Sequence, residues 1–476
     1  MLSKIDDKKI IAVLMTIQLI LCGLAINSFP IALDEPFSIF WSQQDLHELN
    51  VMFQSENNPP LHFYLLHFWI KLFGVGPVAV RSLSLIFSVL SIPVLFYLGK
   101  KLQGRMVGVL AVLFFIFSSF NHYHAVEART YSLFVLLSLL AFNDLYDFIF
   151  KSEKRYLRLA IWNGLLLYTH YLGGFVVVCE VVVFFILFKN LSVKKIGYLV
   201  LSGLISAVIY IPGILLLFKR LEHFNDQGTW VPEPEITELY GNILRFLNNS
   251  IVAMILLLGL VVLFVINRKN TIQKLPDFLK NKQFVFAITT FLVPYLGMYI
   301  VSVIFQPIFL DRYLLFTTPF LFLSLAMVIC FLFTNWSKKA YLLLFTVPFI
   351  ITCNYFPDND REGDEIAKYV ASVKDESNSV IVISPPFYDL TFMYHYKPEN
   401  FADYKRFKET ELNENVYPVY SLNEISGDLR GKQLIYVDAN SKFLFPEQQL
   451  KKEIESRFKW KEGREFKGEY EVHVYE

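Results

Sequence analysis

The chain has 476 residues, of which 54% are hydrophobic and 17% aromatic while only 18% are charged, and its mean hydropathy is +0.43. A soluble globular domain carries about 25% charged residues, so this composition excludes that class and points to an α-helical polytopic membrane protein. The net charge of +1 gives no ground for a nucleic-acid partner, because the positive residues sit in short loops, where they report topology.

A membrane span needs roughly 20 apolar residues. Runs of that kind lie near 10–30, 79–99, 104–121, 131–150, 157–170, 172–188, 196–218, 248–267, 283–305, 313–333 and 340–356, which predicts about eleven transmembrane helices. The first run follows Lys8 and Lys9 and has no small-x-small cleavage site behind it, so an uncleaved first helix is expected. The fifth and sixth runs are short and form a tight hairpin at Tyr168 to Gly174. Cys22, Cys179 and Cys330 lie inside spans and Cys353 at the end of one, a spacing that suggests neither a metal site nor a disulfide framework.

The loops alternate in charge. One set holds Lys4, Lys8 and Lys9, then Lys100, Lys101 and Arg105, then Lys151, Lys154, Arg155 and Arg158, and continues through Lys189, Lys194, Lys195, Arg268, Lys269, Lys274, Lys280, Lys282, Lys338 and Lys339. The opposite set carries Asp34, Glu35, Asp45, Glu48, Glu56, Glu127, Glu222, Asp226, Glu233, Glu235 and Asp311. Short loops rich in Lys and Arg stay in the cytoplasm, so the N-terminus is expected there and the acidic loops outside. With an odd number of spans, the C-terminal region is expected outside as well.

The long first outer loop, about 31–78, is too apolar to stand free in solvent. Phe37 to Trp41 and His62 to Leu72 are expected to form aromatic-rich interfacial helices that roof a cavity. From Pro357 the composition becomes that of a soluble domain. Helical spacing over Glu362 to Lys374, short apolar runs at Val380–Ile383 and Leu434–Val437, a polar helical stretch over Pro446 to Arg457 and alternation over Tyr470 to Tyr475 predict a small α/β domain. The expected division is a transmembrane domain over 1–356, including the loop 31–78, and an extracytoplasmic α/β domain over 357–476.

Polar motifs gather where the chain leaves the bilayer on the acidic side. They are Asp34-Glu35, Asn58-Pro59-Pro60-Leu61-His62, Arg81-Ser82-Leu83-Ser84, Glu127-Ala128-Arg129-Thr130-Tyr131, Tyr168-Thr169-His170-Tyr171 and Asp311-Arg312-Tyr313. Charged groups at such depth are costly and are functional suspects by default. A transporter or flippase of lipid-linked sugars is the rival reading, but it would place polar residues near the midplane and show repeated halves.

Taken in order, these motifs resemble those of the GT-C glycosyltransferases that use lipid-linked sugars, in the family 39 group related to dolichyl-phosphate-mannose-protein mannosyltransferases and to the aminoarabinose transferases of lipid A. The resemblance covers about Ile10 to Phe333; the departure is Asn58, where His is commoner. It implies a polyprenyl-phosphate sugar as donor, a glycan, lipid or protein as acceptor, and surrounding membrane lipids; the residues themselves suggest no cofactor and no metal site. The leaving group would then be a phosphate monoester, which calls for cationic stabilisation, and guanidinium forks onto phosphate oxygens. Arg81, Arg129 and Arg312 are the candidates, against a plain reading as snorkelling anchors. The acceptor hydroxyl needs a base, for which Asp34 is the candidate with Glu35 beside it; an Asp before Glu35-Pro36 also suits a helix cap. Glu127 is expected to pair with one of the arginines. Asn58, His62, Tyr131, His170, Tyr171 and Tyr313 are expected to line the donor site. His122 and His124 are spaced too loosely to be read as a metal site.

Overall fold

The computed structural model describes residues 6–55, 59–188, 192–223, 231–333, 343–401, 404–426 and 428–476. The chain divides into two compact units. One comprises Met1–Ile26, Asn50–Leu65 and Arg81–Pro357; the other comprises Asn27–Leu49, Leu66–Val80 and Asp358–Glu476. The first outer loop, expected whole with the transmembrane domain, is thus divided between the two.

The helices are α1 (Asp7–Ala25), α2 (Glu35–Gln43), α3 (Leu46–Ser55), α4 (Pro60–Phe73), α5 (Pro77–Gln103), α6 (Arg105–Phe117), α7 (Ser119–Ala125), α8 (Tyr131–Phe150), α9 (Tyr156–Leu167), α10 (Leu172–Leu187), α11 (Val193–Ile209), α12 (Ile211–His223), α13 (Ile236–Phe246), α14 (Ser250–Ile266), α15 (Arg268–Lys280), α16 (Lys282–Ile304), α17 (Thr318–Leu332) and α18 (Val347–Thr352). Among the described residues α1, α5, α8, α16 and the segment Asp311–Leu332 are each long and apolar enough to cross a membrane, and three bent pairs raise the number to eight. Two shorter apolar helices, Leu172–Leu187 and Leu343–Thr352, match the sixth and last expected runs, whose residues 340–342 lie outside the described ones.

The bends fall at polar residues. Helix α6 turns into α7 by 69° and α13 into α14 by 78°. Asn248, at the second bend, donates from Nδ2 to the Phe117 carbonyl at 3.0 Å and to Thr352 Oγ1 at 3.1 Å, while its Oδ1 accepts from Ser119 N at 2.7 Å. Ser118 Oγ donates to the Phe246 carbonyl at 3.0 Å. Backbone groups freed by a broken helix must be satisfied inside the protein, and these side chains do so. Helices α5 and α6 approach at Gly99 and Gly108: a Cβ on Gly99 would lie 2.7 Å from the Gly108 Cα. Small residues at such a crossing let two helix backbones pack closely. Helix α8 is buried along almost its whole length, whereas α14 leaves Met254, Leu257, Leu258, Val261 and Val265 exposed, an apolar face suited to lipid.

The other unit is built on a five-stranded sheet of β1 (Ser379–Ser384), β2 (Val416–Pro418), β3 (Gln433–Ala439), β4 (Trp460–Phe466) and β5 (Tyr470–Tyr475), in the order β2-β1-β3-β5-β4. β1 runs parallel to β2 and β3, with Ile381 opposite Ile435; β5 is antiparallel to β3 and β4. Five helices accompany it: α19 (Gly363–Val373), α20 (Asp389–Tyr396), α21 (Tyr404–Asn413), α22 (Ser441–Leu444) and α23 (Gln449–Arg457). The interior parallel strands β1 and β3 are largely apolar and buried, as parallel strands covered on both faces require.

Side-chain contacts explain why the loop segments belong to this unit. The Phe40 ring of α2 lies 5.4 Å from Phe401 and 5.0 Å from Phe407. His395 Nε2 bonds the Ile31 carbonyl at 2.7 Å, and Asn359 Nδ2 donates to the Pro30 carbonyl at 3.0 Å. Tyr394 donates to the Val75 carbonyl at 3.1 Å.

Candidate active site

Within the transmembrane unit the α9–α10 hairpin is the point where the sequence motifs meet. The hairpin closes only because residue 173 is glycine, since a Cβ there would lie 2.4 Å from the Leu166 carbonyl oxygen. The Tyr168 carbonyl accepts from Leu61 N at the start of α4 (2.9 Å), and the Thr169 carbonyl accepts from Thr130 Oγ1 (2.9 Å). The Arg129 carbonyl accepts from Ser84 Oγ of α5 at 3.2 Å. Segments separated by more than a hundred residues are therefore tied to one turn.

His170, at the tip, is enclosed by aromatic rings: Tyr313 at 5.0 Å, Phe134 at 5.3 Å and Tyr131 at 6.5 Å between centroids. Burial, then the guanidiniums of Arg129 and Arg312, push its pKa down to about 3. Its Nδ1 accepts from Leu172 N at 3.1 Å, which leaves Nε2 carrying the proton as a donor. Burial and the Arg129 charge likewise push His62 down to about 3, and His62 Nε2 finds no hydrogen-bond partner among the described residues. Arg312 sits 5.9 Å from the centroid of its neighbour Tyr313 and receives from Asp311 a carboxylate contact to its backbone N at 2.6 Å. Asp311 also forms an ion pair with Arg245, a partner the sequence did not suggest. Two guanidiniums, a neutral imidazole with an N–H and a tyrosine make a set able to hold an anionic head group.

The remaining positions differ in kind. Arg81 is fully buried and donates from Nη1 to the Ile26 carbonyl, just beyond α1, at 3.1 Å. The arginine partner expected for Glu127 is not what the fold gives it: Glu127 Oε2 pairs with His124 Nδ1 at 2.7 Å, both side chains buried. Between Glu127 and Arg129 the backbone turns tightly, with Arg129 N donating to the Glu127 carbonyl at 2.7 Å. His122 meets different partners, Cys22 Sγ at 3.4 Å and the Tyr355 carbonyl at 3.1 Å. Tyr171 is exposed on the hairpin flank. Asn58 lies outside the described residues.

Asp34 and Glu35 belong to the other unit. Asp34 occupies the cap position of α2, yet its carboxylate makes no capping hydrogen bond. Its carbonyl instead accepts from Ser38 N and Ser38 Oγ, both at 3.2 Å. Glu35 is 1% exposed. Leu33, immediately before the pair, has φ 57°, a left-handed backbone that costs a branched residue about 1–3 kcal/mol. One buried polar pair escaped the sequence reading: Asn163 Nδ2 of α9 donates to Glu180 Oε2 of α10 at 2.7 Å. The signal was present, an acid inside an apolar run.

Comparison with known proteins gives the fold its place. Residues 57–215 match the family described as dolichyl-phosphate-mannose-protein mannosyltransferase. The structure is similar to that of ArnT from Cupriavidus metallidurans bound to undecaprenyl phosphate, with TM-score 0.61, 11% identity and coverage of 98% of either chain. It is also similar to the oligosaccharyltransferase of Archaeoglobus fulgidus crystallised with zinc and sulfate (TM-score 0.53, 12% identity, 90% of this chain and 67% of that one). The archaeal oligosaccharyltransferase AglB from Archaeoglobus fulgidus, in complex with an inhibitory peptide and a dolichol-phosphate, gives a TM-score of 0.52 at 11% identity, over 90% of this chain and 69% of that one. No curated protein matches by sequence. The chain is a multi-pass membrane protein with the GT-C fold, as its motifs lead one to expect.

Proposed function

We propose that the protein transfers a sugar from a polyprenyl-phosphate-linked donor to a glycan, lipid or protein acceptor at the outer face of the cytoplasmic membrane. The observation that carries this reading is the hairpin tip, where His170 packs on Tyr313 beside Arg312 and the turn is tied to the Arg129 segment through Thr130, within a stretch that matches the mannosyltransferase family. Loop charge supports the orientation, with residues 357–476 as an extracytoplasmic domain and 1–356 as the catalytic one.

In the reaction the acceptor oxygen forms a bond to the sugar C1 as the bond from C1 to the donor phosphate oxygen breaks. The departing polyprenyl phosphate takes the electron pair, and Arg129 and Arg312, with Nε2–H of His170, stabilise that charge. The acceptor proton passes to Asp34, whose carboxylate is not used as a helix cap. Glu35 holds the acceptor or Asp34 in position, Arg81 fixes α5 against the end of α1, and Tyr131, Tyr171 and Tyr313 line the sugar-phosphate path. The test is Asp34→Asn, which keeps the shape but removes the base. Turnover with a lipid-linked sugar should fall about 10²–10⁴-fold with donor binding retained. Near-normal turnover in a folded Asp34→Asn protein would move the role to Glu35. Mass spectrometry of envelope glycolipids and glycoproteins, with and without the gene, would identify the sugar and acceptor.

A further inference from the structure

At the end of the spans away from His170, a second polar cluster is used by none of the chemistry above. Arg81 and Lys101 lie on α5 twenty residues apart, about 30 Å along a helix. Around Lys101 the helices α5, α8 and α9 frame an open cleft of about 350 Å³, with Pro93, Val94, Tyr97 and Leu140 as its apolar wall. Its polar side is built on two acids of α8. Asp144 is wholly buried and Asp147 nearly so. Asp147 holds Lys101 at 2.8 Å, Lys151 at 3.1 Å and Arg155 at 3.8 Å, while Asp144 holds Arg158 at 3.1 Å, Arg155 at 3.4 Å and the Trp162 indole N–H at 2.7 Å.

Four cations thus stand around two carboxylates, which leaves two positive charges in excess. The buried acids fix the array from within, and the cations form its outer layer. Nearby Glu153 adds no net charge, because Lys194 faces it at 3.6 Å. In the sequence, the short loops that carry the cations report topology. Topology requires positive charge in the loop, but it does not require buried acids that fan four cations beside an apolar cleft.

We propose that this cleft binds an anionic phospholipid, with the phosphate against Arg155, Arg158 and Lys101 and an acyl chain along Val94, Tyr97 and Leu140. The charge excess selects an anion, guanidinium suits its phosphate, and the apolar wall selects a lipid over a free ion. Under the proposed orientation this is the cytoplasmic leaflet, although binding does not depend on that assignment.

The test uses the full chain, delipidated and offered equal phosphatidylglycerol and phosphatidylcholine, with retained lipid counted by native mass spectrometry. Wild type should prefer phosphatidylglycerol. Arg158→Gln and Lys101→Gln keep a donor toward Asp144 and Asp147 but drop a charge, and each should cut the preference about fivefold. Leu140→Trp should fill the cleft and lower retention of the anionic lipid while thermal unfolding stays at the wild-type temperature. Equal retention of both lipids by wild type, or an undiminished preference in Arg158→Gln and Leu140→Trp together, overturns the proposal. Displacement of the lipid by millimolar inorganic phosphate as readily as by phosphatidylglycerol also overturns it, because the cleft would then be a site for free phosphate.

Discussion

His170 shows how burial, reinforced by two guanidinium charges, sets the protonation of an imidazole, and the effect gives a test in pH. Its folded pKa is about 3 against an ordinary 6.5. Below 6.5 the unfolded chain takes up a proton that the folded protein refuses until about pH 3, so stability falls as pH drops through that window and is unaffected above it. His62 adds a second contribution of the same sign. His170→Gln should therefore lose less melting temperature than wild type on going from pH 7.5 to 5; an equal loss would argue against a neutral buried imidazole. The arginines are tested by shape. Lysine keeps the charge but not the fork, so Arg129→Lys and Arg312→Lys should weaken binding of a polyprenyl-phosphate donor about tenfold or more each. Unchanged donor affinity in both would leave anchoring as the better account of them.

Among the elements, the α9–α10 hairpin depends on one close approach. A Cβ at Gly173 would meet the Leu166 carbonyl oxygen at 2.4 Å, whereas at the adjacent Gly174 the nearest contact would be an ordinary 3.7 Å to a Leu167 methyl. Gly173→Ala should cost about 1–3 kcal/mol, as other overpacked sites do. Gly174→Ala is the control, and thermal melting in detergent should separate the two. The bends between α6 and α7 and between α13 and α14 are similarly held by Asn248, which bonds the Phe117 carbonyl and Thr352. Asn248→Leu leaves those groups unsatisfied, so a loss of about 1–3 kcal/mol is expected by the same measurement.

For the whole molecule, the four cysteines are free and buried, which makes labelling clean. Ser377 is exposed in the turn before β1. A cysteine placed there should react with an impermeant maleimide in intact cells if the C-terminal unit lies outside. Reaction only after permeabilisation would reverse the orientation and change the number of crossings.

Among the described residues hydropathy located five long spans, three bent pairs and two short apolar helices, whereas the expected run 157–170 gives only the short helix α9 and is not among them. A helix in lipid must satisfy its own backbone, so it is written locally as an apolar run. The same holds for β1 and β3, apolar because both faces are covered, and for the α19, α23 and β5 segments. Edge strand β4, Trp460–Phe466, was not legible, since it is exposed and rich in Lys, Glu and Arg, with no alternation to read. Nor was β2, only three residues long. Candidate residues can be picked from sequence at the expected membrane boundary because charge is costly there. Their partners are not legible there: Glu127 with His124, Asp311 with Arg245, and His170 among Tyr313, Phe134 and Tyr131 are long-range or side-chain choices. The same is true of the loop segments 27–49 and 66–80, which join the C-terminal unit through Phe40, His395 and Tyr394. Periodicity reports which face of an element is apolar, but only the folded chain decides which surface that face meets.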